Sequence, residues 1–317
     1  CTANITNNLS NRNVIINGSA LVNQRGNATS ISTTQYIGPD RWKFATGNIG
    51  TWSISQETSV VPDGFKSAYK LDCTTAKASP DVGNFLILRY SVEAQDLQRF
   101  AFGTSSAKYM TLSFYVRSTK TGSFLCNLMN LDNSNKEVNN LVTINSADTW
   151  ERKTINVVGD TSGGFNLDNG EGLRIEFFLN SGTDYSSGSR NSTWTVRSNP
   201  NRNAGNTLAL GAATSDVFYI TGVQLEVGSV ATDFEHRSYS QELALAQRYF
   251  QLHNNIMARG YVPDNGSRVY SLGFNFPVQM RSTPSLSITQ TGSTSHQAIV
   301  DGSAGANITS ILSSSFS

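Results

Sequence analysis

Met110-Thr111-Leu112-Ser113-Phe114-Tyr115-Val116 alternates strictly, with Met110, Leu112, Phe114 and Val116 facing one way and Thr111, Ser113 and Tyr115 the other. Successive side chains of an extended chain point to opposite faces, so this stretch reads as a strand with one buried face. The same period recurs on both sides of it. Trp52, Ile54 and Gln56 alternate with Ser53 and Ser55; Tyr69, Leu71 and Cys73 alternate with Lys70 and Asp72. Leu173, Ile175, Phe177 and Leu179 alternate with Arg174 and Glu176. The run from Phe85 to Leu88 is apolar on both faces, the pattern of a strand covered from both sides. Pro62-Asp63-Gly64, Asp132-Asn133-Ser134-Asn135, Ser162-Gly163-Gly164 and Asn169-Gly170 punctuate these runs as turns. Before residue 228 the single candidate helix is Val92 to Phe100. A parallel fold needs crossover helices that are missing here, so the expected class is all-β: an antiparallel two-sheet jelly-roll sandwich.

One clear helix follows the strands. Ser238-Tyr239-Ser240-Gln241 has the form of a capping box, and Leu243, Ala246, Tyr249 and Phe250 then share one helical face. That stripe fits either packing on the chain's own sandwich or packing against other copies about an oligomer axis. Further on, Tyr270, Leu272, Phe274 and Phe276 alternate, and Pro284 to Ile288 reads as another strand. The expected organisation is an arm or linker at 1–12, a sandwich at 13–237, a connecting helix at 238–252, and a small C-terminal β module at 253–317. Opening on Cys1 rather than Met and closing on Ser313-Ser314-Ser315-Phe316-Ser317 without a cap, the chain is expected to be a segment of a longer protein. No secretory signal pattern is visible in it.

The 317 residues carry 24 Lys+Arg against 23 Asp+Glu, a net charge of +1, and only 15% are charged. Such a balance, without blocks of like charge, speaks against a nucleic-acid partner, and no apolar run is long enough for membrane insertion. Asn, Ser, Thr and Gly stand in place of charge, which suits turns and sheet surfaces. Cys1, Cys73 and Cys126 have no metal-binding spacing; Cys73 and Cys126 fit buried free thiols better than a bridge. His236, His253 and His296 lie in unlike contexts, so no metal or cofactor is expected. No nucleophile elbow occurs. Glu171 with Glu176, or Glu226 with Glu235, are the carboxylate pairs a glycosidase reading would need. Glu226, Asp233, Glu235, Arg237 and Arg41 fit a charge network closing the sandwich better, so the chain is expected to be non-enzymatic. Sugar binding, through aromatic faces and amide or hydroxyl partners, is harder to dismiss than catalysis, although aromatics of this kind more often belong to a core or edge. Tyr185 in Thr183-Asp184-Tyr185-Ser186-Ser187-Gly188, Trp194 and Trp52 are its candidate platforms.

Two stretches carry a family likeness. Asn17-Gly18-Ser19, Gln24-Arg25-Gly26 and Pro39-Asp40-Arg41-Trp42 form the first. The second runs from Ile220 to Gly228, through Ala231-Thr232-Asp233-Phe234-Glu235-His236-Arg237, to Glu242–Phe250. Together they resemble tailed-bacteriophage virion proteins, often tail fibres, in which such motifs bracket a jelly roll like a carbohydrate-binding module. The resemblance covers roughly residues 13–252. It implies a homo-oligomer, with a trimer favoured, displayed on the virion surface among other virion proteins and contacting a host-surface glycan. Capsid decoration, a structural joint, or the binding module of a polysaccharide-degrading enzyme are the alternatives. In this bracket Arg41 is expected to pair with Glu226 or Glu235 across a seam, with Trp42 packed beneath. Thr221 stands where related modules carry a calcium-binding acid, and Ala246 where the family carries a Cys.

Overall fold

The computed structural model describes residues 11–253, 276–285, 296–298 and 311–313. The arm at 1–10, most of the strand patterns at 270–276 and 284–288, and the closing residues 314–317 lie outside the described residues.

In chain order the strands are β1 (Ala28–Ile31), β2 (Gln35–Tyr36), β3 (Trp42–Gly47), β4 (Thr51–Glu57), β5 (Ala68–Thr75) and β6 (Phe85–Glu93). A 3-10 turn at Ala94–Phe100 takes the place of the candidate helix. Then come β7 (Met110–Ser118), β8 (Gly122–Asn130), β9 (Lys136–Ile144), β10 (Glu151–Val157) and β11 (Glu171–Ser181). The short helix α1 (Thr183–Ser186), β12 (Thr195–Val196) and β13 (Val217–Val227) complete the sandwich, followed by α2 (Tyr239–Gln247).

These strands form an antiparallel two-sheet jelly roll. One sheet has the order β1-β4-β5-β13-β7-β10; the other has β12-β9-β8-β11-β6-β3-β2. Period-2 alternation sends Trp42, Phe44, Trp52, Phe114, Phe177 and Phe218 into the space between them, each at most 1% exposed. Phe114 meets Phe177 edge-on at 5.1 Å, and Phe124 meets Phe218 at 5.7 Å, geometry that suits the ring quadrupoles. In β6, Leu86 and Leu88 enter this core while Ile87 joins a smaller cluster on the opposite side of the sheet. That is why the run is apolar on both faces. Cys73 and Cys126 are buried free thiols.

The two family-like motifs meet at one seam. Residues 13–18 lie along β13: Val14 N–H donates to Leu225 O at 3.0 Å, and Val223 N–H to Gly18 O at 2.9 Å. A Cβ at Gly18 would lie 2.1 Å from Val223 O, so only glycine allows this approach. Gly222, at φ +60, turns the bulge in β13 that makes the contact. Asn17 is buried and donates to Val22 O and Asp40 O, while its own carbonyl accepts the Trp42 indole N–H at 3.2 Å.

The charges at this seam pair otherwise than the motif reading expects. Arg41 donates to Ser91 O at 2.5 Å and lies over the Tyr90 ring. Glu226 accepts from Thr232 and Gln224, and Glu235 accepts the backbone amides of Asn11 and Asn13. Arg237 is the cation that closes the seam, donating to Asn13 O and Ile15 O and facing Glu242 at 3.3 Å. Thr221 donates to Ser67 O at 2.7 Å.

The chain divides into two compact units, Cys1–Ala246 and Gln247–Ser317. The capping box of α2 is made: Ser238 N–H donates to Gln241 Oε1 at 3.0 Å, and Gln241 N–H to Ser238 Oγ at 3.3 Å. The expected stripe is corrected. Tyr249 and Phe250 fall beyond the helix, Leu243 is half-buried, and the buried pair is Glu242 with Ala246. Glu242 takes the Asn17 amide at 2.7 Å, so this face belongs to the chain's own sandwich and Ala246 is unavailable to another copy. In the second unit, Gln251 donates to Val278 O, and His296–Ala298 pairs antiparallel with Ile311–Ser313.

Candidate functional site

Side chains that alternate with the core build the outer face of the seven-stranded sheet. Trp42 and Phe44 point inward, so Lys43 points out; Leu88 and Tyr90 put Arg89 out; Ile175 and Phe177 put Glu176 out. Register aligns these outward residues into rows. Tyr36, Lys43, Arg89, Glu176, Asn127 and Asn139 are successive partners across β2, β3, β6, β11, β8 and β9. Beside this polar row runs an apolar one of Ala45, Ile87, Phe178, Leu125 and Leu141.

The segment between β11 and β13 folds back over one part of this face. Asn127 donates to Arg202 O at 2.8 Å and Asn206 to Phe178 O at 3.1 Å, while Asn139 and Asn191 exchange hydrogen bonds. Beneath it Glu176 is fully buried, with Arg202 at 2.5 Å on one oxygen and Arg89 at 2.9 Å on the other. Burial alone would raise the Glu176 pKa, but the two guanidiniums outweigh it and hold the carboxyl below its usual range.

Glu137, next along on β9, is equally buried. Burial, helped by the Glu176 charge, pushes its pKa up to about 7 against a side-chain hydrogen bond with Asn139 and the charges of Arg202 and Arg197. The unfolded chain ionises near 4.5, so folding retains a proton that the unfolded state gives up. Stability is therefore expected to be undiminished below about pH 4.5, to fall as pH rises towards 7, and to level off above that. Glu137→Gln should flatten this fall; denaturant titrations of both chains between pH 4 and 8 check it, and parallel profiles would refute it.

The other end of the row is open. Tyr36 is 39% exposed, with Arg25 and Lys43 over its ring at 5.5 and 5.3 Å from the centroid. Nearby, Arg174 holds Glu171 through two hydrogen bonds of 2.8 and 2.6 Å, and Ser91 also donates to Glu171. Tied in this way, Glu171 and Glu176 are both engaged by cations.

The three aromatic candidates are not brought together. Trp52 is fully buried and donates its indole N–H to Ile49 O at 2.7 Å, so it has no face for a sugar; its alternation was a core signal. Trp194 is half-buried, edge-on to Phe102 at 5.4 Å, and donates to Val158 O. Tyr185 lies on α1, half-buried against Phe85 and Phe178, with Arg202 over its ring at 5.4 Å. It roofs the apolar row. The row from Tyr36 to Asn139 escaped the sequence reading because its members come from six strands. Polar alternation in each strand was the visible part of the signal; register was not.

No protein-family model matches the chain, and no curated protein matches it. Among solved structures it is similar to the enzymatically active domain of bacteriophage CBA120 tailspike protein 4, with 12% identity and a TM-score of 0.35. That match covers 68% of this chain but spans only 21% of the tailspike chain. It is also similar to a family 4 carbohydrate-binding module, with 12% identity, TM-score 0.34, and coverage of 67% of this chain and 97% of the other. A third is a family 61 module in complex with β-1,4-galactotriose, with 10% identity, TM-score 0.34, and coverage of 68% and 99%. Likenesses this distant assign neither ligand nor activity to this chain.

Proposed function

We propose that the chain is a non-catalytic glycan-binding jelly roll of a bacteriophage virion appendage, a tail fibre or similar structure on the particle surface. The sugar lies along the outer face of the seven-stranded sheet. The observation that carries this reading is the uncovered end of the polar row, where the exposed Tyr36 ring stands in register with Lys43 and Arg89. Sugar recognition calls for fixed polar groups beside an aromatic ring, and the uncovered end supplies both, while Glu176, Asn127 and Asn139 farther along lie under the covering segment. The carboxylates of this face support the non-catalytic part: Glu171 and Glu176 are tied to arginines, and Glu137 is buried.

The virion setting rests on the two motifs, whose residues build the seam between residues 13–18 and β13. A trimer arranged about a surface other than the Glu242–Ala246 face belongs to the same proposal. The binding module of a polysaccharide-degrading enzyme would use the same face, and antibody labelling of intact particles separates these settings.

Tyr36→Ala is expected to weaken glycan binding roughly 2- to 10-fold, the worth of one aromatic contact. The thermal midpoint should stay unchanged, because the ring is exposed at a sheet edge. Calorimetric titration with a glycan selected from an array checks this. Unchanged affinity would remove Tyr36 from the site, and no binding to any arrayed glycan would overturn the reading.

A further inference from the structure

Trp52, Ile54 and Gln56 share one side of β4, yet only the first two are core residues. Gln56 continues the inward row at the end of the strand, where a polar amide needs partners. It finds them in the preceding segment: its Nε2 donates to Ala20 O at 2.7 Å and to Leu21 O at 2.9 Å. The Gln56 backbone N–H and the Asn23 side chain both donate to Asn27 Oδ1 at 2.9 Å. Ser67, just before β5, donates to Ser19 O at 3.0 Å, and its carbonyl accepts from Thr221. Held in this way, Leu21, Asn23, Gln56 and Ser67 line a cleft of about 260 Å³, together with the exposed Thr58, Lys66 and Tyr239.

The cleft shares no residue with the Tyr36 row. Its volume falls just under the usual range of ligand pockets, which suits a single ring rather than a chain. Tyr239 is 55% exposed, and no other ring or cation covers it among the described residues. Both hydrogen bonds of the Gln56 side chain are made by its Nε2, so Oε1 has no partner among the described residues. Lys66 is the one charged side chain in the lining, and it makes no hydrogen bond or ion pair among the described residues. Glu57, next to Thr58 in the chain, is turned to the amides of Thr58, Ser59 and Val60. No carboxylate lines the cleft, so a negative group is the complement that Lys66 lacks.

We propose that this cleft is a second carbohydrate site, taking a single carboxylated sugar residue. Its ring lies against Tyr239, a hydroxyl donates to Gln56 Oε1, and its carboxylate meets Lys66. The site is separate from the outer face of the seven-stranded sheet and does not depend on the reading of that face.

NMR titrations of the full chain with the methyl glycosides of glucuronic and galacturonic acid test this, with those of glucose and galactose as neutral counterparts. The acids should shift backbone amide signals within residues 19–23 and 56–67 saturably, and the neutral sugars should bind more weakly. Lys66→Gln should weaken acid binding about tenfold, the low end for a hydrogen bond between charged groups. Tyr239→Ala should weaken it roughly 2- to 10-fold, as for one aromatic contact. Both side chains are exposed, so the remaining signals of each variant should match wild type. Tyr36→Ala, on the sheet face, and Lys108→Gln, an exposed lysine before β7, should leave acid binding unchanged. Neutral sugars bound as tightly as the acids would overturn the proposal, and so would a loss in Lys108→Gln equal to that in Lys66→Gln. Shifts absent from residues 19–23 and 56–67, or confined to the seven-stranded sheet, would also overturn it. None of these outcomes removes glycan binding at Tyr36, which the glycan array and Tyr36→Ala decide separately.

Discussion

Glu176→Ala is expected to destabilise the sandwich by about 3–5 kcal/mol, the usual consequence of leaving buried charge without its partner. Glu176 has no exposed surface, and the side chains of Arg202 and Arg89 are only 8% and 19% exposed. Removing the carboxylate strands two guanidiniums on the same face. Arg202 also holds the covering segment, since its carbonyl accepts the Asn127 amide and its guanidinium lies over Phe178 and Tyr185. The loss should therefore include earlier proteolytic cleavage between residues 188 and 206. Glu176→Gln keeps the shape and one acceptor and should cost less. Urea titration with limited proteolysis reads both effects. A change below about 1 kcal/mol, the range of an exposed ion pair, would show that the arginines find water instead.

Trp52→Ala should cost a similar amount, about 3–5 kcal/mol, for a different reason. The indole is fully buried between the sheets, tilted against Phe44 at 6.2 Å, and Gly211 is so close that a Cβ there would lie 2.8 Å from the ring. Truncation leaves a cavity that the two hydrogen-bonded sheets cannot close. For a domain of this size the thermal midpoint should fall by roughly 6–20 °C. The folded fraction should retain its affinity for glycan, opposite to the expectation for Tyr36→Ala. Loss of binding by folded Trp52→Ala would return the residue to the site.

Strand after strand was legible because a half-buried strand writes its burial into every second residue. Met110 to Val116 and Leu173 to Leu179 needed only that rule, and the doubly apolar Phe85 to Leu88 announced the second cluster around Ile87 and Phe178. Local capping chemistry was equally readable in Ser238 and Gln241. Aromatic residues in polar surroundings were a poorer guide. Tyr185 sits in a Gly- and Ser-rich stretch, yet it packs on Phe85 and Phe178, which are about 100 and 7 residues away along the chain.

What the chain determined by itself, then, was its class: two antiparallel sheets, a low and balanced charge, and a short capped helix. Only the tertiary structure decided which outward polar residues are covered and which are open. Asn127, Asn139, Glu137 and Glu176 alternate with core residues exactly as solvent-facing groups would, yet all four are buried. Tyr36 and Lys43 lie in the same row and remain accessible. The physical reason is that period-2 alternation encodes which side of a sheet a residue occupies, while the covering of that side depends on a segment from elsewhere in the chain. Arg202, Asn203 and Asn206 supply that cover through hydrogen bonds spanning up to 75 residues, and no local pattern records where they land.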